Sequence, residues 1–175
     1  MVNDNKILIQ TSTPLSNVVP VKLSLNALSK LNSSTIVMDG FEVPYIFNLH
    51  EKCTERHIQE IEHGIGYKLP DDYKEFLLIT NGLDTYPSSS SKIYSIADIY
   101  TVRKITKNIY PNHMLVIGDC SEGGLYVFIN LKSSDFMNIY GIDATGDYYF
   151  KNLRCNFSMY LSRFILTYGS NFWEW

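Results

Sequence analysis

The 175-residue chain has only three cysteines, Cys53, Cys120 and Cys155, an odd number with no close pairing, and no charged, apolar, small-residue leader opens it. Those absences exclude a disulfide-stapled secreted scaffold and lead to the expectation of a reduced, cytoplasmic protein. No window approaches 18 uninterrupted apolar residues, so no membrane-spanning helix is expected. Positive charge is not in surplus: 15 Lys and Arg against 18 Asp and Glu leave a formal net charge of −3. This argues against nucleic acid as a ligand, because phosphate neutralisation needs a basic excess. Phosphate-cradling glycine patterns are missing too, since "GDCSEGG" and "GGLYVFI" contain neither a strand-to-helix Gly-x-Gly-x-x-Gly nor a Gly-Lys-Ser/Thr.

What is present fits one globular domain, long enough to bury roughly 70% of its unfolded surface. The apolar fraction of 45% and charged fraction of 19% are ordinary, whereas aromatics reach 14%, with 13 Tyr and nine Phe. Rings in that number suit a β-rich core and a contact surface alike. Charge is unevenly spread: residues 55–84 carry seven acids against three bases, and 117–150 carry five acids against Lys132. Between them, Arg103, Lys104 and Lys107 form one small basic cluster.

The opening segment reads as strands. "VVPVKLSL" alternates Val19, Val21, Leu23 and Leu25, and "TIVMDGFEVPYIF" places Asp39-Gly40 between two apolar runs, a two-residue hairpin signal. Pro44 assigns the second arm to an edge. Thr54 should cap a helix that buries Ile58, Ile61 and Ile65 and stops at Gly64 and Gly66. In "YKLPDDYKEFLLITNGLD", Pro70 suits a second helix start and Asp71 and Asp72 complement its dipole. Tyr73, Phe76, Leu77 and Thr80 share a face there, and Asn81-Gly82 reads as a left-handed cap. After the turn-like "SSSS" at 88–91, strands follow in "KIYSI", "HMLVIGD", "GLYVFINL", "NIYGID" and "DYYF". "IADIYTVRKITKNI" stays open between strand and helix. Asn156 caps a final helix with Phe157, Tyr160, Leu161, Phe164, Ile165 and Tyr168 on one face, ended by Gly169. The expected fold is α+β: an antiparallel twisted sheet of about six strands, two helices before it and one C-terminal helix packed on it. Residues 1–50 are expected to be a hairpin extension of the domain formed by 51–175.

Candidate chemistry is thin. Cys120 with His113 lacks the spacing of a nucleophile and its base, Cys53 and His57 supply too few ligands for zinc, and Asp71 and Asp72 point about 100° apart on a helix. A non-catalytic binding protein without metal or cofactor is the expectation.

From Ile58 to Leu161 the ordered set "IQEIEHGIGYKLPDDYKEFLLITNG", "KIYSIADI", "LVIGDCSEGGLYVFINL", "IYGID" and "NFSMYLSRFI" resembles the SUKH superfamily, also called the Smi/Knr-like domain. That family's pattern is a helix ending in Gly, Leu-Pro, an aromatic-bearing helix, Asn-Gly, a strand pair around Ile-Gly-Asp, and a terminal helix with Phe. The first 50 residues and the "TYPSSSSK" loop depart from it. The resemblance implies an α+β immunity protein that binds and neutralises a cognate polymorphic toxin, expected to be of nuclease type, without catalysis. The alternative it implies is a regulatory adaptor tied to cell-wall synthesis or signalling. On this reading the acids near turns, Asp84, Asp119, Glu122, Asp143 and Asp147, with Tyr86, form the toxin-facing surface. A neutral surface built from Tyr86, Tyr94 and Tyr126 would serve equally. Trp173 and Trp175 would either anchor a homodimer or fold onto the body.

Overall fold

The computed structural model describes residues 19–31, 35–38, 40–86, 91–120, 125–133, 136–142, 149–170 and 172. Its elements run α1 (Val21–Leu31), β1 (Thr35–Met38), β2 (Phe41–Pro44), β3 (Ile46–Leu49), α2 (Glu55–Ile65), α3 (Asp71–Ile79), β4 (Leu83–Tyr86) and β5 (Lys92–Ile93). Then follow α4 (Ile96–Thr106), β6 (Met114–Cys120), β7 (Leu125–Asn130), β8 (Ile139–Ile142), β9 (Phe150–Asn152) and α5 (Phe157–Leu166). Strands β3 to β9 form one sheet in chain order, every neighbour antiparallel. Helices interrupt the chain between β3 and β4 and between β5 and β6 without disturbing that order. β1 and β2 make a separate hairpin, in which Gly40 takes φ +83° and Pro44 sits on a strand with one partner.

One side of the sheet is closed by α1, α3 and α5. Tyr73 and Phe76 of α3 meet Phe157 of α5 at ring centroid distances of 4.8 and 5.1 Å. Ser24 of α1 lies 2.7 Å from Ser162 of α5, and Tyr160 reaches Cys120 of β6. These rings are fully buried, each stabilising the fold by about 1.5–3 kcal/mol of transfer free energy. Caps fix the helix ends. Thr54 and His57 close a capping box on α2, and Gly66 at φ +75° ends that helix as a left-handed cap. Asn156 Oδ1 accepts from Met159 N–H in α5. Asp72 does more than complement its own helix: Oδ2 accepts the Ser158 N–H at the start of α5, at 2.9 Å, while Oδ1 accepts from Tyr73 N–H.

Two readings of the sequence change, and one left open is settled. The segment 21–31 is helical, not a strand, because Val21, Ser24, Leu25 and Leu28 recur with helical spacing and are the ones buried, while Val19 and Leu23 of the alternating set face solvent. "IADIYTVRKIT" is α4, begun by a Ser95–Asp98 capping box. Asn81-Gly82 is not the cap of α3, which ends through extended Thr80. Instead Asn81 Oδ1 accepts from Ile96 N–H at the start of α4. Gly82, at φ +112°, lets His50 and the Ile93–Ser95 backbone approach to about 3 Å of where a Cβ would sit. The sheet also gains β3 and β4 at one edge, where the sequence reading expected about six strands.

Glu62, buried on α2, holds the turn into α3. Its carboxylate accepts from Lys68 Nζ at 2.6 Å and from Leu69 N–H at 2.9 Å. Burial would raise its pKa, but the Lys68 ammonium and the Leu69 N–H outweigh it and hold it below the usual range. A depressed folded pKa means stability present above the unfolded value and lost as pH falls through the folded one. Glu62→Gln is therefore expected to destabilise the protein by about 1–3 kcal/mol near neutral pH, the difference from the parent closing in acid. Urea unfolding at both pH values checks this. An unchanged midpoint near neutral pH would mean that desolvation cancels the ion pair.

Candidate partner-binding face

The antiparallel register draws a single row of side chains across five strands, pairing Asn48 with Asp84, Asp84 with Lys92, Lys92 with Asp119, and Asp119 with Tyr126. Cross-strand partners point to one face, here the face opposite the α1, α3 and α5 layer. Asp119 belongs to it because β6 is bulged: Val116 pairs with Phe128, yet Gly118 pairs with Val127. The extra residue turns Asp119 onto the same side as Val116 and sends Cys120 toward α5. Gly118 is required at this point, since a Cβ there would stand 2.4 Å from the Lys92 carbonyl oxygen.

The row's charges are individually held. Asp84 Oδ2 lies 2.7 Å from His50 Nε2, and His50 Nδ1 lies 3.1 Å from the Asn81 carbonyl, so both ring nitrogens face acceptors. Asp119 Oδ2 accepts from the Tyr94 hydroxyl at 2.8 Å, and Lys92 Nζ sits 5.1 Å from the centre of the Tyr94 ring. Burial pushes the Asp119 carboxyl above its ordinary pKa, and Asp84 adds to the rise, against the pull of Tyr94 and Lys92. Burial, then the neighbouring Asp119, raises Tyr94. The two carboxylates stand two strands apart, about 10 Å. Beyond them Tyr110, Tyr126, Phe128 and Phe150 pack edge to face, at centroid distances of 5.0–6.4 Å.

Of the residues expected from sequence, Asp84 and Asp119 are thus on one face, and Tyr86, 50% exposed, ends β4 two residues beyond Asp84. Glu122, Asp143 and Asp147 lie outside the described residues, as do Trp173 and Trp175. With every neighbour antiparallel, β4, β6 and β8 finish at the same end of the sheet, so Tyr86, Cys120 and Ile142 all stand there. Sequence reasoning misses Lys92 and His50: cross-strand register places Lys92 between the two acids, and the 2.7 Å contact with Asp84 places His50.

The thiols are in surroundings opposite to those of an activated nucleophile. Burial pushes Cys120, 3.6 Å from the Tyr160 hydroxyl, up to about 12 and Cys53 up to about 11; a reactive thiolate needs the reverse. His57, read from sequence beside Cys53 as a ligand candidate, is engaged in the α2 cap. Among the described residues no three His, Cys, Asp or Glu side chains converge as a metal site, and no helix is long and apolar enough to cross a membrane.

A family model described as the SMI1 / KNR4 family (SUKH-1) matches residues 52–163, from just ahead of α2 into α5. The chain is also similar to the uncharacterized protein YnaB of Bacillus subtilis (strain 168), at 25% identity over 129 residues, covering 73% of this chain and 87% of that protein.

Because the folded pKa of Asp119 is raised, its ionisation opposes folding above that value, and the cost disappears below the unfolded carboxylate pKa of about 3.9. Asp119→Asn, which keeps an acceptor for Tyr94, should therefore unfold at a temperature a few degrees higher near neutral pH, with the advantage lost in acid. Thermal unfolding at the two pH values reads this directly. Destabilisation at both would show that the charge itself is needed by the fold.

Proposed function

The chain belongs to the SMI1/KNR4 family (SUKH-1), and on that premise we propose that it is an immunity protein, one that binds and neutralises a cognate polymorphic toxin by contact and not by catalysis. The observation that carries this reading is the row from Asp84 to Tyr126. Asp119 is kept on that face against the preference of its burial, a cost that folding alone does not call for and that recognition of a charged partner accounts for. Tyr86 at the row's end is a half-exposed ring of the kind that anchors protein contacts.

The partner's chemistry follows from the charge. Asp84 and Asp119 against Lys92 leave the described row one unit negative. A toxin of nuclease type, whose site gathers cations for phosphate, complements such a surface. Lys92 makes the row mixed in sign, so the fit is one of registered opposite charges more than of simple phosphate mimicry. Action on a toxin that works inside the cell places the protein in the cytoplasm. On this reading the described part of residues 1–50 belongs with the 51–175 domain, which is supported by the Ser24–Ser162 contact of α1 with α5 and by β3 as the edge strand of the sheet.

The test is affinity capture with the tagged chain from its source cells, a large toxin-like protein being the expected partner, followed by Tyr86→Ala. That variant should fold as the parent does and lose about tenfold or more in affinity, some 1.4 kcal/mol. Absence of a toxin-like protein, with capture of wall-synthesis or signalling enzymes in its place, would instead favour the adaptor role.

A further inference from the structure

A second feature of opposite sign lies where α4 crosses the sheet. The C-terminal end of α2 (Gly64 to Tyr67), α4, the 110–112 connection and β6 enclose a groove of about 580 Å³, open along one side. Tyr100, Arg103, Lys104 and Lys107 line it at spacings of three, four and seven residues, which places them along one stripe of the helix and its end. Tyr67, Tyr110, Met114 and Val116 provide rings and an apolar floor. Arg103 is set across the groove by donating to the Asn112 carbonyl at 3.2 Å. No carboxylate lines the groove, and among the described residues none pairs with these three cations. A preference for cations near a helix C-terminus explains Arg103 and Lys104 individually. It does not explain an acid-free, aromatic-lined cleft in a chain with more acids than bases.

We propose that this groove is a docking site for an acidic segment of a partner protein, its carboxylates paired with Arg103, Lys104 and Lys107 and its apolar side chains set against Tyr100, Tyr110 and Met114. The concave shape favours a peptide over a bilayer, because a flat surface cannot reach the floor. Three cations in an acidic protein are too few to hold a nucleic acid. The groove adjoins the face assigned to toxin binding, with Tyr110 and the Val116 side of β6 common to both, but its three cations are none of that row's groups, and the site stands whether or not the row binds a toxin.

The experiment is a titration of the isotope-labelled full chain with an acetylated, amidated hexapeptide of sequence Glu-Glu-Leu-Glu-Glu-Leu, followed by amide chemical shifts. Expected are saturable shifts confined to residues 64–67, 100–112 and 114–116. Combined Lys104→Glu and Lys107→Glu should lower the affinity by at least about tenfold, as should high salt. Both lysines are solvent-facing, and an unchanged spectrum away from the groove verifies that the variant is folded. The charge-matched scrambled peptide Leu-Leu-Glu-Glu-Glu-Glu, anionic phospholipid vesicles and a short single-stranded oligonucleotide are run in parallel. The proposal is overturned by absent or non-saturating shifts with the hexapeptide, by shifts outside the groove, by indifference to the double reversal, or by stronger groove binding of vesicles or oligonucleotide. Equal response to the scrambled peptide would reduce the site to non-specific charge attraction and overturn it likewise. None of these outcomes bears on Tyr86→Ala, which is read with the toxin alone.

Discussion

The Asp72 carboxylate is the interaction on which the remaining architecture turns. Standing in the first turn of α3, it takes the Ser158 N–H that opens α5, so one charged group serves two helix N-termini separated by 86 positions in the chain. Two positive dipole ends brought together would repel; a shared anion converts that into attraction. Tyr73, Phe76 and Phe157 are thereby locked into a single ring cluster, and the helix layer becomes rigid enough to carry the sheet. Everything on the opposite face inherits its position from that layer. Asp71, one residue away, makes only an exposed pair with Lys74, of the kind that contributes little.

On the outward face the physical situation reverses. There the protein retains ionised and half-buried groups: Asp84 with His50, Asp119 with Tyr94, and Lys92 between the acids. Each is hydrogen-bonded or stacked, so none is ruinous, yet Asp119 remains less stable as an anion than it would be in water. Rigidity on one side and tolerated electrostatic cost on the other is the division expected of a scaffold that presents a contact surface. The basic groove beside α4 adds a second electrostatic signature to the same half of the molecule.

How much of this could be read from sequence depended on whether the governing contact was local. Thr54, Gly66, Asn156 and the apolar stripes of α2 and α5 were legible because caps and 3.6-residue periodicity act within a few positions. The 21–31 segment misled because Val21 and Leu25 satisfy both an alternating and a helical pattern; packing against α5, far away in the chain, decides between them. Asn81-Gly82 misled for a related reason, as its partners, Ile96 N–H and His50, are contributed by distant residues. The clustering of Asp84 with Asp119 was guessed from their proximity to turns, whereas the real cause is a bulge at Gly118 that no propensity scale marks. Lys92, the charge that changes the character of the row, is visible only through cross-strand register.

The strictly sequential meander has an evolutionary corollary. Since β4, β6 and β8 all finish at one end, the connections after them can lengthen, shorten or change charge without altering the chain-order pairing of the strands. A lineage built on this plan can exchange its recognition surface one connection at a time while its folding free energy stays nearly constant, so divergence of specificity need not wait for compensating changes in the core.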